Sequence, residues 1–346
     1  MPVRRLRTDQ LILVPDNGSA PITLFAETRE AGDLATQDVF QASPDGGYLA
    51  YAAGGALHVR ATDGSERTIR DYQRSAHMRF SPDGQYLAAV VGDPFTQRGQ
   101  RILLFEVATG TTRELASFAS VPQLEWLRVA VVVHAWDQAR QRDVLVALPL
   151  AGDPKTLLEH PSNDIATFVA AATGTRVVAF VTDTTATHVL ALDASAPADT
   201  HELGAIHDPV TNAAASLDGE RVAFTTAAAL FTVTGNDKPR AISDRSSIHS
   251  LWFARDGRLG YASPTSATIL DRSGAHRFDT EGPISMLRFD PVSAQALVAA
   301  SANAWDVAPA TPRRLAAPPP GGDLLGVDHF AGGLLLWTTG DHPYVR

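Results

Sequence analysis

Histidine is the residue type in this sequence whose distribution could most readily support chemistry. Eleven histidines are present, and four of them lie just before or within short apolar segments: His77, His207, His249 and His329. Imidazoles that converge from separate strands can bind a metal ion or a carboxylate group. We favour the alternative, in which each ring pairs locally with a backbone group. The sequence shows no regular ligand spacing and no accompanying ring of carboxylates.

A serine and an aspartate beside a proline-glycine bend form a second candidate, in the segment RFSPDGQYLAAVVGD at residues 79–93. Ser81 and Asp83 could belong to an active site or could stabilise a turn. In a turn, Pro82 presets its own φ, Asp83 caps the local backbone, and Gly84 takes the positive φ that other residues resist. The choice depends on whether the segment recurs.

The segment does recur along the chain. SPDGGYLAYAAG from Ser43 matches SPDGQYLAAVVG from Ser81, and weaker copies begin at Ser216, Ala254 and Asp290. Further segments of this kind lie near residue 130, at 171–183 and at 329. The chain therefore contains eight units of about 40 residues, and such a period indicates a repeat architecture. Ser81 and Asp83 are predicted to be turn residues. Seven units remain the alternative, since the third unit lacks the Asp-Gly turn.

Each unit has the composition of a small antiparallel sheet. The turn is followed by an apolar run and then by a second short run rich in Val, Leu, Ile, Phe and Thr, which is typical of strands. A third, more polar run such as TTRELA or KTLLEH closes most units. Four strands per unit, repeated radially, predict an all-β protein with the β-propeller fold. We predict eight four-stranded blades in a single domain spanning residues 1–346.

Both termini are predicted to contribute to one blade. LILVPDNGSAPITLFA, from residue 11, aligns with ILLFEVATGTTRELA, from residue 102, as a second strand, a tight turn and an outer strand. Residues 11–27 would supply the outer strands of the closing blade and residues 324–340 its inner strands. Seven blades would occupy 28–317, with a tail at 1–10 and a stiff Pro/Gly connector at 318–323. We prefer a connector to a proline-rich recognition motif there.

The repeats resemble the WD40 family and its bacterial relatives with TolB-like propeller repeats. The F-S-P-D-G turn at residues 80–84 is a hallmark of both, and NAWDVAPATPRRLA keeps the Trp-Asp pair of WD40 repeats as Trp305 and Asp306. The Gly-His dipeptide of WD40 repeats is absent and Trp-Asp occurs once, so the resemblance is to a degenerate WD40-like propeller. It implies that the S-P-D-G turns lie on the face opposite the loops that join first to second strands.

Two segments between first and second strands are predicted to be long loops that project on one face. They are GDPFTQRGQ at 92–100 and HAWDQARQRD at 134–143, in adjacent units. They carry aromatic and guanidinium groups, which are enriched at binding hot spots. The candidate partner-binding residues are Phe95, Arg98, Trp136, Arg140 and Arg142. The alternative is that Trp136 packs on its own loop and the arginines are solvated.

Signatures of catalysis were not found in the sequence. It has no G-x-S-x-G, H-E-x-x-H, P-loop or G-x-G-x-x-G motif. It also has no cysteine, which excludes thiolate nucleophiles, disulfides and zinc-thiolate sites and fits a reducing compartment. We therefore expect no enzymatic activity, no cofactor and no catalytic or metal-binding residues.

Charge and hydropathy argue against nucleic acids and membranes as partners of this protein. The formal net charge of −9 argues against nucleic-acid binding, since that affinity depends on clustered Lys and Arg. The one basic cluster, Arg4, Arg5 and Arg7, is at the N-terminus. No segment approaches the length of an apolar membrane span, and the N-terminal apolar run is too short for a signal peptide. We expect a cytoplasmic protein, and the scarcity of lysine against arginine suggests a bacterial source.

These observations predict a non-catalytic scaffold or sensor subunit that binds protein partners in a larger bacterial assembly. The alternative is a propeller enzyme or small-molecule binder, lactonase-like or lyase-like, with a metal or ligand site in the central channel.

Overall fold

The computed structural model describes most of the chain, and the regular structure in the described part is entirely β-strand. The described residues are 6–30, 40–69, 77–92, 99–161, 164–243, 247–301, 303–307, 312–316 and 323–342. Within these ranges no helix is long and apolar enough to cross a membrane.

Thirty-two strands make up this part of the chain. The first sixteen are β1 Leu6–Pro15, β2 Ile22–Glu30, β3 Phe40–Ala42, β4 Tyr48–Ala53, β5 Ala56–Ala61, β6 Glu66–Ile69, β7 Met78–Phe80, β8 Tyr86–Val91, β9 Gln100–Glu106, β10 Thr112–Phe118, β11 Ser120–Trp126, β12 Ala130–Asp137, β13 Arg142–Pro149, β14 Lys155–His160, β15 Ile165–Ala170 and β16 Arg176–Thr182. The remaining sixteen are β17 Thr187–Asp193, β18 Thr200–Ile206, β19 Asn212–Ala215, β20 Arg221–Thr225, β21 Leu230–Thr234, β22 Arg240–Ser243, β23 Ser250–Phe253, β24 Leu259–Ser263, β25 Ser266–Asp271, β26 Gly274–Asp279, β27 Ile284–Phe289, β28 Ala296–Ala300, β29 Asn303–Asp306, β30 Arg313–Ala316, β31 Asp323–Phe330 and β32 Gly333–His342.

The strands form eight four-stranded sheets. Blade 1 consists of β3 to β6, and each following blade takes the next four strands, so that blade 7 consists of β27 to β30. The eighth sheet, the closing blade, has the strand order β2-β1-β32-β31. Eight four-stranded antiparallel sheets are the blades of an eight-bladed β-propeller, which confirms the predicted fold class and blade number.

The closing blade combines strands from both ends of the chain, as predicted. β1 pairs antiparallel with β32 over ten residues, from Leu6 opposite His342 to Pro15 opposite Gly333. This strand therefore begins at Leu6, inside the segment 1–10 that was expected to be a tail. Of the Pro/Gly connector expected at 318–323, only Asp323 is described, and it begins β31.

The apolar core lies between neighbouring sheets. The chain divides into two compact units, residues 1–68 with 254–346, and residues 69–253. In the second unit, Val90 and Ile102 of blade 2 pack with Val131 and Val133 of blade 3. In the first unit, the closing blade is covered by blade 7 on one side and blade 1 on the other. Strands covered on both faces lose polar alternation, which explains the continuous apolar run in β12.

The S-P-D-G segments are structural turns. In blade 2 the Ser81 hydroxyl donates to Asp83 Oδ1 at 2.6 Å and accepts the Tyr86 backbone N–H at 2.9 Å. Asp83 Oδ1 also accepts the N–H of Gln85 at 3.1 Å. The same pattern recurs from Ser43 in blade 1 and from Ser216 in blade 5. Gly84 has a φ of +72°, so the turn interpretation is correct.

Candidate functional site

Three of the predicted partner-binding residues, Trp136, Arg140 and Arg142, lie where β12 meets β13. Phe95 and Arg98 fall outside the described residues. The segment 134–143 was predicted to be a long loop, and this is wrong. β12 continues to Asp137 and β13 begins at Arg142, so a short turn joins them. Antiparallel pairing between the two strands extends to Asp137 opposite Arg142, which leaves little loop to project.

The side chains of this hairpin are partly engaged within the protein. The half-buried Trp136 donates from Nε1 to Gln138 Oε1 at 3.2 Å. Arg140 forms an ion pair with Glu159 at 2.7 Å, between Nη1 and Oε1. Arg142 is exposed at the start of β13. A partner contact at Trp136, Arg140 and Arg142 stays a prediction.

The four candidate histidines occupy different settings. His77 is half-buried directly before β7, and His207 is exposed directly after β18. His249 is exposed before β23, and its carbonyl accepts from Asn212 Nδ2 at 3.2 Å. His329 lies in β31. Among the described residues, no group of three or more His, Asp or Glu side chains is placed to hold a metal ion.

His329 pairs with a carboxylate from the neighbouring blade. Its Nδ1 lies 2.9 Å from Asp290 Oδ2, and its side chain is 30% exposed. The hydrogen bond to Asp290 raises the pKa of His329, and the charges of Asp290, Asp328 and Asp16 add to this effect against desolvation. Burial raises the pKa of Asp290, but hydrogen bonds from His329 and Ser293 outweigh it and lower that pKa to about 2.

A second ion pair lies beside the first. Arg288 Nη1 is 2.8 Å from Asp328 Oδ2, and the Asp328 side chain is completely buried. Burial raises the pKa of Asp328, and the charge of Arg288 opposes this shift. Asp328 Oδ1 accepts the backbone N–H of His329 at 3.0 Å. Two ion pairs therefore connect β31 of the closing blade to blade 7.

An additional surface on blades 3 to 5 was missed by the sequence analysis. We call the turns at residues 127–129, 171–175 and 216–220 the turn surface; they join β11 to β12, β15 to β16 and β19 to β20. The Arg128 N–H donates to the Gly174 carbonyl at 3.3 Å, and the Thr173 N–H donates to the Leu217 carbonyl at 2.8 Å. These bonds hold three turns together through their backbones.

The turn surface exposes apolar side chains. Val129 is 57% exposed and Leu217 is 39% exposed. Leu217 occupies the position of the proline in the turns at Ser43 and Ser81. An apolar residue in place of that proline is the sequence signal that could have identified the turn surface. The Val129 carbonyl accepts the N–H of Leu150 at 3.0 Å. Leu150 borders a cleft whose other lining residues are Tyr86, Leu104, Glu106, Thr111 and Arg113.

Comparisons with known proteins agree on the fold. No protein-family model and no curated protein sequence matches the chain. Among solved structures, the dihydro-heme d1 dehydrogenase NirN in complex with DHE is similar at 16% identity with a TM-score of 0.62, covering 88% of this chain and 70% of that one. The β-propeller domain of Myceliophteria thermophila Cps50 (Swd1) is similar at 14% identity with a TM-score of 0.52, covering 79% of this chain and 97% of that one.

A peptidase is also similar in structure. Pyrococcus horikoshii acylaminoacyl peptidase matches at 11% identity with a TM-score of 0.55, covering 78% of this chain. The chain spans about half the length of that peptidase, 49%. Such low identities establish a shared fold and nothing about activity. The fold of its blades and these similarities show that the chain has a WD40-like β-propeller fold.

Proposed function

We propose that this chain is a non-catalytic protein-protein interaction module, a scaffold or sensor subunit of a larger bacterial assembly in the cytoplasm. The observation that carries the proposal is the turn surface of blades 3 to 5, where backbone hydrogen bonds hold the turns that expose Val129 and Leu217. A pre-ordered surface loses little entropy on binding, and apolar side chains beside a cleft are typical of contact sites. The absence of catalytic motifs from the sequence is consistent with this function.

The test uses a partner recovered from the native host with the full chain as bait. Binding of the purified partner is then measured by calorimetry for the wild type and for the double variant V129D/L217D. Charges on the apolar contact should weaken binding by about tenfold or more. The matched control is I242D, because Ile242 is an apolar residue of similar exposure, 41%, on the outer strand β22.

The variants W136A and R142A test the β12–β13 hairpin in the same assay. Weakened binding in V129D/L217D but not in I242D assigns the contact to the turn surface. Weakened binding only in W136A or R142A transfers the contact to the hairpin. Unchanged binding in every variant removes both surfaces from the proposal.

The alternative function is a small-molecule binder or enzyme of the lactonase or lyase type, with a metal or ligand site. The observation that favours it is that one structurally similar propeller, NirN, was solved in complex with a ligand, DHE. Metal analysis of the purified protein with and without chelator tests this alternative, and a tightly held stoichiometric divalent ion would overturn the scaffold proposal.

A further inference from the structure

Polar contacts attach β31 of the closing blade to blade 7 in the described part of the chain. At one end of β31, Ser285 Oγ donates to the Leu324 carbonyl at 2.7 Å, and the Leu324 N–H donates to the Ser301 carbonyl at 2.8 Å. Farther along β31 are the ion pair of Arg288 with Asp328 and the pair of Asp290 with His329. The contact with His329 depends on an imidazole, whose ordinary pKa lies near neutral pH.

Asp290 is held as a fixed acceptor for this contact. Asp290 occupies the position that Ser81 has in the repeat, and it directly follows β27. Its Oδ1 accepts the N–H of Val292 at 3.0 Å and both the N–H and the hydroxyl of Ser293, at 2.5 and 2.8 Å. Its Oδ2 faces His329 Nδ1 at 2.9 Å. These donors all favour the ionised carboxylate, which in turn favours an imidazolium.

The charges around His329 are predominantly negative. Asp290 approaches from the β27–β28 turn, Asp328 from β31 itself, and Asp16 from the β1–β2 turn. Arg288 of β27 is the positive group nearby, and it is paired with the buried Asp328. Strand β3 of blade 1, which consists of Phe40, Gln41 and Ala42, adds no ionisable residue.

We propose that His329 is a pH-sensitive latch that holds the inner strand of the closing blade against blade 7 when its imidazole is protonated and releases it as the imidazole loses its proton. The neutral ring can still donate one hydrogen bond to Asp290 but no longer forms the ion pair. Local opening of β31 therefore becomes easier at alkaline pH, while the apolar contacts and the contacts made by Leu324 remain.

The pH range in which the latch is strongest follows from the directions of the two pKa shifts. The folded-state pKa of His329 is raised, so its contribution to stability is complete below its unfolded value of about 6.5 and is lost as pH rises through the folded value. The pKa of Asp290 is lowered to about 2, so its contribution is complete above its unfolded value of about 3.9 and is lost as pH falls toward 2. The latch is therefore strongest between about pH 4 and 6.5.

Hydrogen-deuterium exchange of the full chain at pH 5.5 and 8.5, corrected for the chemical effect of pH on exchange, tests the latch. In the wild type, peptides from residues 323–330 should lose protection at pH 8.5. The loss should reach at most about tenfold for each unit by which the pKa of His329 is raised. In H329Q the corrected ratio between the two pH values should approach one. Titration of the His329 C2–H by NMR should give a pKa above about 6.5.

The matched control is H188Q. His188 also has a raised pKa and lies 2.9 Å from Glu202 and 3.0 Å from Asp183, but all three residues belong to blade 4 or its turns. Its removal should leave the pH dependence of residues 323–330 unchanged.

An equal pH dependence in the wild type and H329Q overturns the latch, as does a normal pKa for His329. D290N should abolish the pH dependence as H329Q does, and its persistence in that variant would also overturn the proposal.

Discussion

The role of an individual residue in this propeller depends on which partner it meets, either in its own turn or in a neighbouring blade. Ser81 and Asp83 have the types of a catalytic pair, but they bond to each other and to their own turn. The sequence identified His329 as a residue whose imidazole could bind a metal ion or a carboxylate, but it did not associate Asp290 with it. The two lie 39 positions apart and on different sheets, and local spacing carries no information about such a pair.

Turn glycines provide a test at the scale of the residue. Gly219 and Gly18 both have positive φ, +73° and +77°. A Cβ on Gly219 would lie 2.6 Å from Ala171 Cβ of blade 4, whereas a Cβ on Gly18 would meet nothing within 4 Å. Since both alanine variants share the backbone strain, G219A should destabilise the protein by about 1–3 kcal/mol more than G18A.

Urea unfolding monitored by tryptophan fluorescence measures the two free energies of unfolding. G18A serves as the control for strain without a clash. Equal losses in the two variants would show that the blade 5 turn does not depend on close contact with blade 4.

At the scale of the element, the sequence predicted strands well and loops less well. The expected second strands ALHVRAT, ILLFEVA and HVLALDA correspond to β5, β9 and β17. The segment 134–143 was misjudged because its polar residues resemble a loop. Pairing extends β12 and β13 through those residues, because their backbone groups gain hydrogen bonds. The buried polar side chains of His134 and Asp143 lie 2.6 Å apart and pair with each other instead of reaching solvent.

The N-terminal strand offers a test at the same scale. Leu11 is fully buried in β1, between β32 and β2, whereas Ile22 of the neighbouring strand is 46% exposed. L11D should destabilise the protein by about 3 kcal/mol or more, because it places a charge in the apolar core.

Deletion of residues 1–27 should give insoluble protein, because the edge of β32 would be left unpaired.

The control for this prediction is I22D, which should remain soluble with near-normal thermal stability. Soluble fraction after expression and circular dichroism during heating are the measurements. A soluble, cooperatively melting protein that lacks residues 1–27 would contradict a structural role for the closing strands.

At the scale of the whole molecule, composition and fold bear on the class of partner. The chain has 38 acidic and 29 basic residues. The similar structures include a peptidase, a dehydrogenase and a β-propeller domain. The fold therefore does not assign a function, and the proposed function depends on the turn surface instead.

Nucleic-acid binding is the partner class that the charge argues against most directly. We expect no saturable binding of labelled single-stranded DNA or RNA in fluorescence anisotropy near physiological salt, because few phosphate counterions would be released. A micromolar dissociation constant that rises steeply with salt would contradict this. R140E and R142E would then show whether the exposed end of blade 3 is responsible.

The sequence alone predicted the repeat and the closing of the fold by strands from both termini, and it favoured eight blades with seven as the alternative. These properties depend on local turn chemistry and on apolar runs, which recur in every unit and can be compared within one chain. Only the tertiary structure decided that 134–143 is a hairpin, that Asp290 faces His329, and that Val129 and Leu217 are exposed on hydrogen-bonded turns. The pairing of Asp290 with His329 and the bonds between turns depend on which surfaces of neighbouring blades meet, and contacts between residues far apart in sequence leave no regular spacing to detect. The hairpin joins residues close in sequence, but its polar residues resemble a loop until the pairing of the buried His134 with Asp143 is seen.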